Sequence, residues 1–321
     1  MINKLVTIEG RELENQIARV VADWVNHCDV SPLTQKMYNS AAARFVAFIQ
    51  DNGAKLNEKT LINFREHSKK NFATATARLY FVVAKKFCQW TCKRMNVADF
   101  TLGVKGVKLD TDTHSRDALT IEDCATVINN FSGKDFISVR NKLIVSLMAT
   151  CGLRTIEVSR LDCSDIELRR GKYFLRVWGK ARAGKVDNVC LPLELKEMLD
   201  KYLELRGKVK DSDPLFVSTS NFSKGKRLQT QSISRLTKKA LRDAGFDSKR
   251  LVAHSLRHSF ATNALLAGVD ISKVQRVLRH RNPATSEIYR HDLDAYNNDA
   301  TQIVASALFQ QIGGVHFATK Y

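Results

Sequence analysis

Residues 254–280 read HSLRHSFATNALLAGVDISKVQRVLRH, and the periodicity of this stretch decides the kind of fold. Its apolar spacing makes 254–267 and 270–279 helices. His254 and Arg257, three apart, therefore share one helical face. The chain continues as LRHRNPATSEIYRHDL, residues 278–293, where a third helix over 283–292 carries Tyr289 among His280, Arg279, Arg281, Arg290 and His291. One reading makes Tyr289 a helix anchor. The other is chemical: neighbouring cations favour the phenolate, and a phenolate is a nucleophile toward phosphorus.

Two more cations stand at structural boundaries. In ATCGLRTIEVSRLDCSDI, residues 149–166, Arg154 follows Gly152 just past the end of an apolar helix. In VWGKARAGK, residues 177–185, Lys180 sits at the tip of a hairpin expected over 173–191. Each is weak alone, because surface arginines and basic hairpin tips are common.

Outward from these segments the sequence predicts a mainly α fold with a small β-hairpin or sheet. Residues 11–28 have Ile17, Val20, Val21, Trp24 and Val25 at helical spacing. A second helix starts with Ser31 as N-cap and Pro32 at the first helical position, and Gly53 marks its stop. A third covers Leu56 to His67 and a fourth Thr74 to Met95, making a small all-α domain. Lys69, Lys70, Arg78, Lys85, Lys86, Lys93 and Arg94 crowd its second half, as a solvated face or a surface for a DNA backbone. Beyond Met95 the polar stretch VADFTLGVKGVKLDTDTHSRD, residues 97–117, loses periodicity from about 101. We place an N-terminal helical domain at 1–104, a linker at 105–117 and a second domain at 118–321. The second domain opens with Thr120 and Asp123 at capping-box spacing. Helices are expected at 120–131, 136–151, 194–206 and 230–244 as well, the last a candidate for entering a groove.

At 321 residues, two domains are the default. The net charge is +18 with a pI near 9.7, which points to a polyanionic partner. Residues 1–110 hold an excess of seven cations and 111–321 an excess of eleven, so both halves are expected to touch it. The N-terminus lacks an apolar run of signal-peptide length and no membrane span is expected. The seven cysteines, at 28, 88, 92, 124, 151, 163 and 190, read as reduced core residues of a cytoplasmic protein. Cys88 and Cys92 lack a second Cys/His pair at zinc spacing, and no metal site is expected there.

TCGLRTIEVSRL, VWGKARAGK, HSLRHSFATNALLAGVDISKVQRVLRH and ATSEIYRH together resemble the motifs of the tyrosine recombinase (phage integrase) family, in order and near-register, most like its Xer-like two-domain members. The resemblance covers 119–292 well. SPLTQKMYNSAAARFVAFIQ and TATARLYFVVAKKFCQW resemble the family's core-binding domain more loosely. The resemblance implies a catalytic domain at 118–321 that cuts and rejoins DNA site-specifically through a 3′-phosphotyrosyl link, without metal, ATP or other cofactor. It implies that Arg154 and Arg257 hold the non-bridging oxygens of the scissile phosphate, and that Lys180 protonates the leaving 5′ oxygen. His254 and His280 take the two remaining pocket positions, and Tyr289 is the nucleophile. The chemistry is coherent: forked guanidinium donors suit charge growing on two equatorial oxygens, and a phenol needs help to ionise near neutrality.

The implied partners are duplex DNA carrying a recombination site and a homotetramer on two such sites; accessory DNA-bending proteins are left open, and no membrane is involved. There are departures. Leu278-Arg279-His280 stands where Leu-Gly-His is common in the family, Arg290 where Thr often follows the tyrosine, and Gly-Lys-Ala where Gly-Lys-Gly is common at the hairpin, which leaves Lys185 as an alternative to Lys180. Arg279, Arg281 and Arg290 are expected to touch flanking DNA backbone. Glu157 reads as an orienting partner of a basic residue, and His258 as a residue that fixes the fold. Ile303, Val304, Ala307, Leu308 and Ile312 line one side of a last helix, which docks either on its own domain or on a neighbouring protomer. A type IB topoisomerase-like enzyme and a non-catalytic DNA-binding regulator stand as alternatives.

Overall fold

The computed structural model describes residues 11–52, 55–108, 117–178, 187–279 and 303–305. The chain divides into two compact units, Met1–Thr111 and Asp112–Tyr321.

The first unit is built from α1 (Arg11–His27), α2 (Pro32–Asp51), α3 (Glu58–Asn71) and α4 (Thr74–Met95). Ser31 caps α2 by accepting the Thr34 N–H at 3.3 Å, with Pro32 at the first position where its missing N–H costs nothing. Asn57 caps α3 through Thr60 N–H at 3.0 Å, so this helix starts after Leu56. It also runs past His67, to a last turn whose Lys69 and Lys70 suit the negative end of the helix dipole. The core is aromatic. Trp24 stacks on Tyr38 with centroids 5.5 Å apart and meets Phe87 edge-on, while Phe45 and Phe64 approach to 4.8 Å.

The segment after α4 belongs to this core. Val104 and Val107 are buried in it, Arg65 donates to Lys105 O at 2.8 Å, and Lys85 Nζ donates to Val104 O at 2.9 Å. The expected linker at 105–117 is therefore shorter at its N-terminal side: apolar side chains every third residue seat it without regular secondary structure. Several cations of α4 are also engaged internally. Lys86 lies over the Tyr38 ring and Arg94 over Trp90.

In the second unit come α5 (Ile121–Asn129), α6 (Phe136–Thr150), α7 (Thr155–Ser159), a 3₁₀ turn Cys163–Asp165, β1 (Ile166–Arg169), β2 (Lys172–Val177), β3 (Asp187–Leu191), α8 (Leu193–Arg206), α9 (Thr230–Asp243), α10 (Ala253–Leu266) and α11 (Ile271–Leu278). Thr120 and Asp123 form the expected capping box of α5. The strands make one antiparallel sheet in the order β1-β2-β3, with Leu175 opposite both Ile166 and Val189. β1 was not expected, because its outer half is exposed and lacks alternation. What makes it pair is the two-residue turn Arg170-Gly171, both at positive φ, which matches the twist of a tight hairpin.

Leu143, Ile144, Leu147 and Met148 of α6 are fully buried in one core that also takes in Leu175, Val177 and Leu191 of the sheet and Leu256 of α10. Burying each such side chain stabilises by about 1.5–3 kcal/mol. Leu119 fastens the start of this unit onto α10: its N–H donates to Ser259 Oγ at 2.7 Å, and its carbonyl accepts from Asn263 at 3.1 Å. Cys88, Cys92 and Cys151 are buried, and burial pushes the Cys151 thiol up to about 12. Cys190 departs from the core reading, since β3 turns it outward to an exposed position. No described helix is long and apolar enough to cross a membrane.

Candidate active site

The site is assembled where α6 ends. Gly152 follows the last turn at φ +59°, a left-handed conformation that glycine adopts without steric cost. A Cβ there would stand 2.9 Å from Leu278 Cδ2 and from Phe260 Cδ1. Only a bare backbone fits between α10 and α11. The turn reverses the chain so that Arg154 becomes the N-cap of α7, and Glu157, three residues on, faces back toward it.

Glu157 is the hub. Its side chain is 0% exposed, a position a carboxylate holds only when surrounded by donors. It accepts from Arg154 N at 2.8 Å and Arg154 Nη1 at 2.7 Å, and from Arg279 Nη2 at 2.6 Å and Nε at 3.2 Å. Arg257 Nη1 stands 3.8 Å from the same carboxylate. Burial works against ionisation, but the charge and hydrogen bonds of Arg279, then the backbone N–H and charge of Arg154, outweigh it. The Glu157 carboxyl is held below its ordinary value.

Arg257, on α10, is 1% exposed. Its Nη1 donates to Gly152 O at 2.6 Å and its Nη2 to Leu278 O. One guanidinium thus ties the α6–α7 turn to the end of α11. His254, one turn earlier on α10, is exposed. Arg154, Arg257 and His254 line a common cavity of about 350 Å³, which Met148, Leu153 and Ser234 and Lys238 of α9 also line. Three of the six expected site residues are therefore brought together from sequence positions about a hundred apart. Lys180, its alternative Lys185, His280 and Tyr289 lie outside the described residues, as do Arg281, Arg290, His291 and the expected helix at 283–292.

One expectation changes here, and one residue is added. Arg279 does not face outward to flanking backbone: its side chain is 5% exposed and paired with Glu157. It terminates α11 in the left-handed region, at φ 55°, which costs a non-glycine residue about 1–2 kcal/mol. Two charge-assisted hydrogen bonds to a buried carboxylate offset that strain. Lys238, which sequence reasoning did not single out, reaches the cavity from the helix nominated for groove entry; its Nζ is held by Ser248 O at 2.7 Å. Its only signal in the sequence was a place on the basic helix. Arg235 and Lys239 of that helix are exposed, while Ile233, Thr237, Ala240 and Leu241 pack inward.

The class is a mainly helical unit with a three-stranded sheet in which one buried carboxylate gathers two buried guanidinium groups and the half-buried Arg154 near an exposed histidine, an arrangement chemically suited to an oxyanion. Within that class the chain belongs to the phage integrase family, whose model matches residues 119–295. It is 34% identical over 178 residues to tyrosine recombinase XerD of Halalkalibacterium halodurans, covering 54% of this chain and 56% of that one. Over 176 residues it is 35% identical to tyrosine recombinase XerA of Pyrococcus furiosus, with 55% and 58% covered. The chain spans little more than half the length of these curated relatives. Among solved structures, the XerH site-specific recombinase bound to a palindromic difH substrate superposes with a TM-score of 0.69 at 22% identity, covering 85% of this chain and 79% of that one. A lambda integrase dimer bound to a COC′ core site gives 0.65 at 15% identity, with 84% and 95% covered. At such identities the likeness is one of fold.

Proposed function

We propose that this protein is a site-specific DNA recombinase that cleaves and rejoins duplex DNA through a 3′-phosphotyrosyl intermediate. The observation that carries the reading is the convergence of Arg154, Arg257 and His254 on one cavity, inside the segment matched by the family model. In the proposed reaction the Tyr289 oxygen attacks the scissile phosphorus, forming the tyrosyl–phosphate bond as the P–O5′ bond breaks. His254 takes the phenolic proton, and Lys180 gives a proton to the departing 5′ oxygen. Arg154 and Arg257 each present a forked guanidinium to the equatorial oxygens as charge grows on them, with His280 hydrogen-bonding a phosphate oxygen. Attack by the free 5′ hydroxyl of another strand reverses the step, and the phosphotyrosyl bond conserves the energy needed.

The same reading makes the first unit a DNA core-binding domain and the second the catalytic domain, acting in the cytoplasm as a homotetramer on two DNA sites. The excess positive charge in both halves fits a phosphate backbone.

The test is incubation with a library of nicked suicide duplexes whose arms are randomised, followed by recovery of covalently attached DNA. An adduct formed by the wild-type chain and lost in Tyr289→Phe supports the reading. A chain that forms no adduct with any duplex is not such an enzyme, and an adduct without exchange between two sites favours a relaxing enzyme instead.

A further inference from the structure

We propose that Arg279 is a positioning residue which offsets the charge of Glu157, so that the positive charge of Arg154 and Arg257 stays available to a phosphate whose charge is growing. The inference rests on the recombinase reading above. Arg279 is 5% exposed; its guanidinium donates to the Val277 and Gly152 carbonyls, and its charge is paired with Glu157, so it acts on the cavity through that carboxylate and not on the surface.

The charges explain why a third guanidinium matters. Glu157 lies within ion-pair distance of Arg154, Arg257 and Arg279. With Arg154 and Arg257 alone, its negative charge would offset one of the two cations meant for the phosphate. Arg279 supplies a cation to spare, and the cluster carries a net charge of +2. A phosphodiester brings one negative charge, and a pentavalent phosphorane about two, so the extra cation favours the transition state over the bound ground state.

The backbone points the same way. Arg279 is held in the left-handed region at a helix end where glycine sits without strain, so the chain maintains a costly side chain at this position. Its neighbour Leu278 accepts a hydrogen bond from Arg257 through its carbonyl, so the last residue of α11 and the residue that ends it are both tied into the cluster.

The experiment compares the wild type with Arg279→Gly, Arg279→Gln and Arg279→Lys on a duplex captured from the nicked library. Single-turnover adduct formation at saturating DNA, DNA affinity by fluorescence anisotropy and the thermal midpoint are measured for each. Losing one charge-assisted interaction predicts adduct formation about 10- to 100-fold slower in the Gly and Gln variants. Affinity should stay within about threefold, because surface phosphate contacts dominate it. Lys, which restores a point charge, should recover most of the rate. A folded neutral variant that cleaves at the wild-type rate overturns the inference, as does a Lys variant no faster than Gln. If the wild type forms no adduct at all, the recombinase reading falls and takes this inference with it.

Discussion

Glu157 and Arg279 are 122 residues apart in the chain and 2.6 Å apart in space. The pair joins α7, which Arg154 caps, to the end of α11. A buried carboxylate that serves three arginines makes specific demands on stability, pH and catalysis.

Replacing Glu157 by Gln keeps the shape and removes the charge. Arg257 and Arg279 are then buried beside each other without their shared anion. Breaking a buried ion cluster by removing one partner costs about 3–5 kcal/mol. Urea denaturation should show that loss, and a change under about 1 kcal/mol would mean the carboxylate is not the hub.

The pH dependence follows in sign from the lowered Glu157 carboxyl. A depressed carboxyl contributes stability that is fully present above its ordinary value of 4.5 and is lost as the pH falls through the lower, folded value. Wild-type stability should therefore drop more steeply below about pH 4.5 than that of Glu157→Gln. Denaturation midpoints from pH 3 to 7 measure the difference, and parallel curves would contradict it.

Gly152→Ala meets two penalties. The left-handed φ disfavours a Cβ, and that Cβ would press on Leu278 and Phe260 at 2.9 Å. Together these predict a loss of about 2–4 kcal/mol. The Gly152 carbonyl also accepts from Arg257, so adduct formation should fall more than the fraction folded. Calorimetry alongside a cleavage assay separates the two.

Arg154→Lys and Arg257→Lys keep the charge and lose the fork. If the two arginines grip the equatorial oxygens as proposed, losing that two-point hold should slow adduct formation by about 100-fold or more. DNA affinity should change little. Activity within a few-fold of wild type would argue against direct phosphate contact.

Lys180→Ala and Lys185→Ala distinguish the two hairpin lysines. If Lys180 is the general acid, its loss should slow cleavage by about 10²–10⁴-fold. A bridging 5′ sulfur, a better leaving group than oxygen, should restore the rate. Rescue confined to Lys185→Ala would reassign the role.

Much of this was legible in the chain itself. Helix periodicity, the Ser31 and Thr120 caps and the spacing of His254 and Arg257 are local properties, set by neighbours within a turn or two. The motifs around Arg154, Lys180, Arg257 and Tyr289 carried the family because their residue types and order survive without coordinates. β1 was not legible, since a half-exposed four-residue strand has no pattern until its partner is beside it. Neither was the seating of Val104 and Val107, which only the aromatic core of α1–α4 explains.

Arg279 shows most clearly where local information ends. In the sequence it is one cation among Arg281, Arg290 and two histidines, and nothing nearby separates it from them. Only the folded chain places it in the left-handed turn after α11, next to a carboxylate that the Gly152 turn has buried. Residue types and spacing determined the helices and the chemistry available. Which arginine faces the protein and which the cavity depends on long-range burial and charge, and those exist only once α7, α10 and α11 have packed.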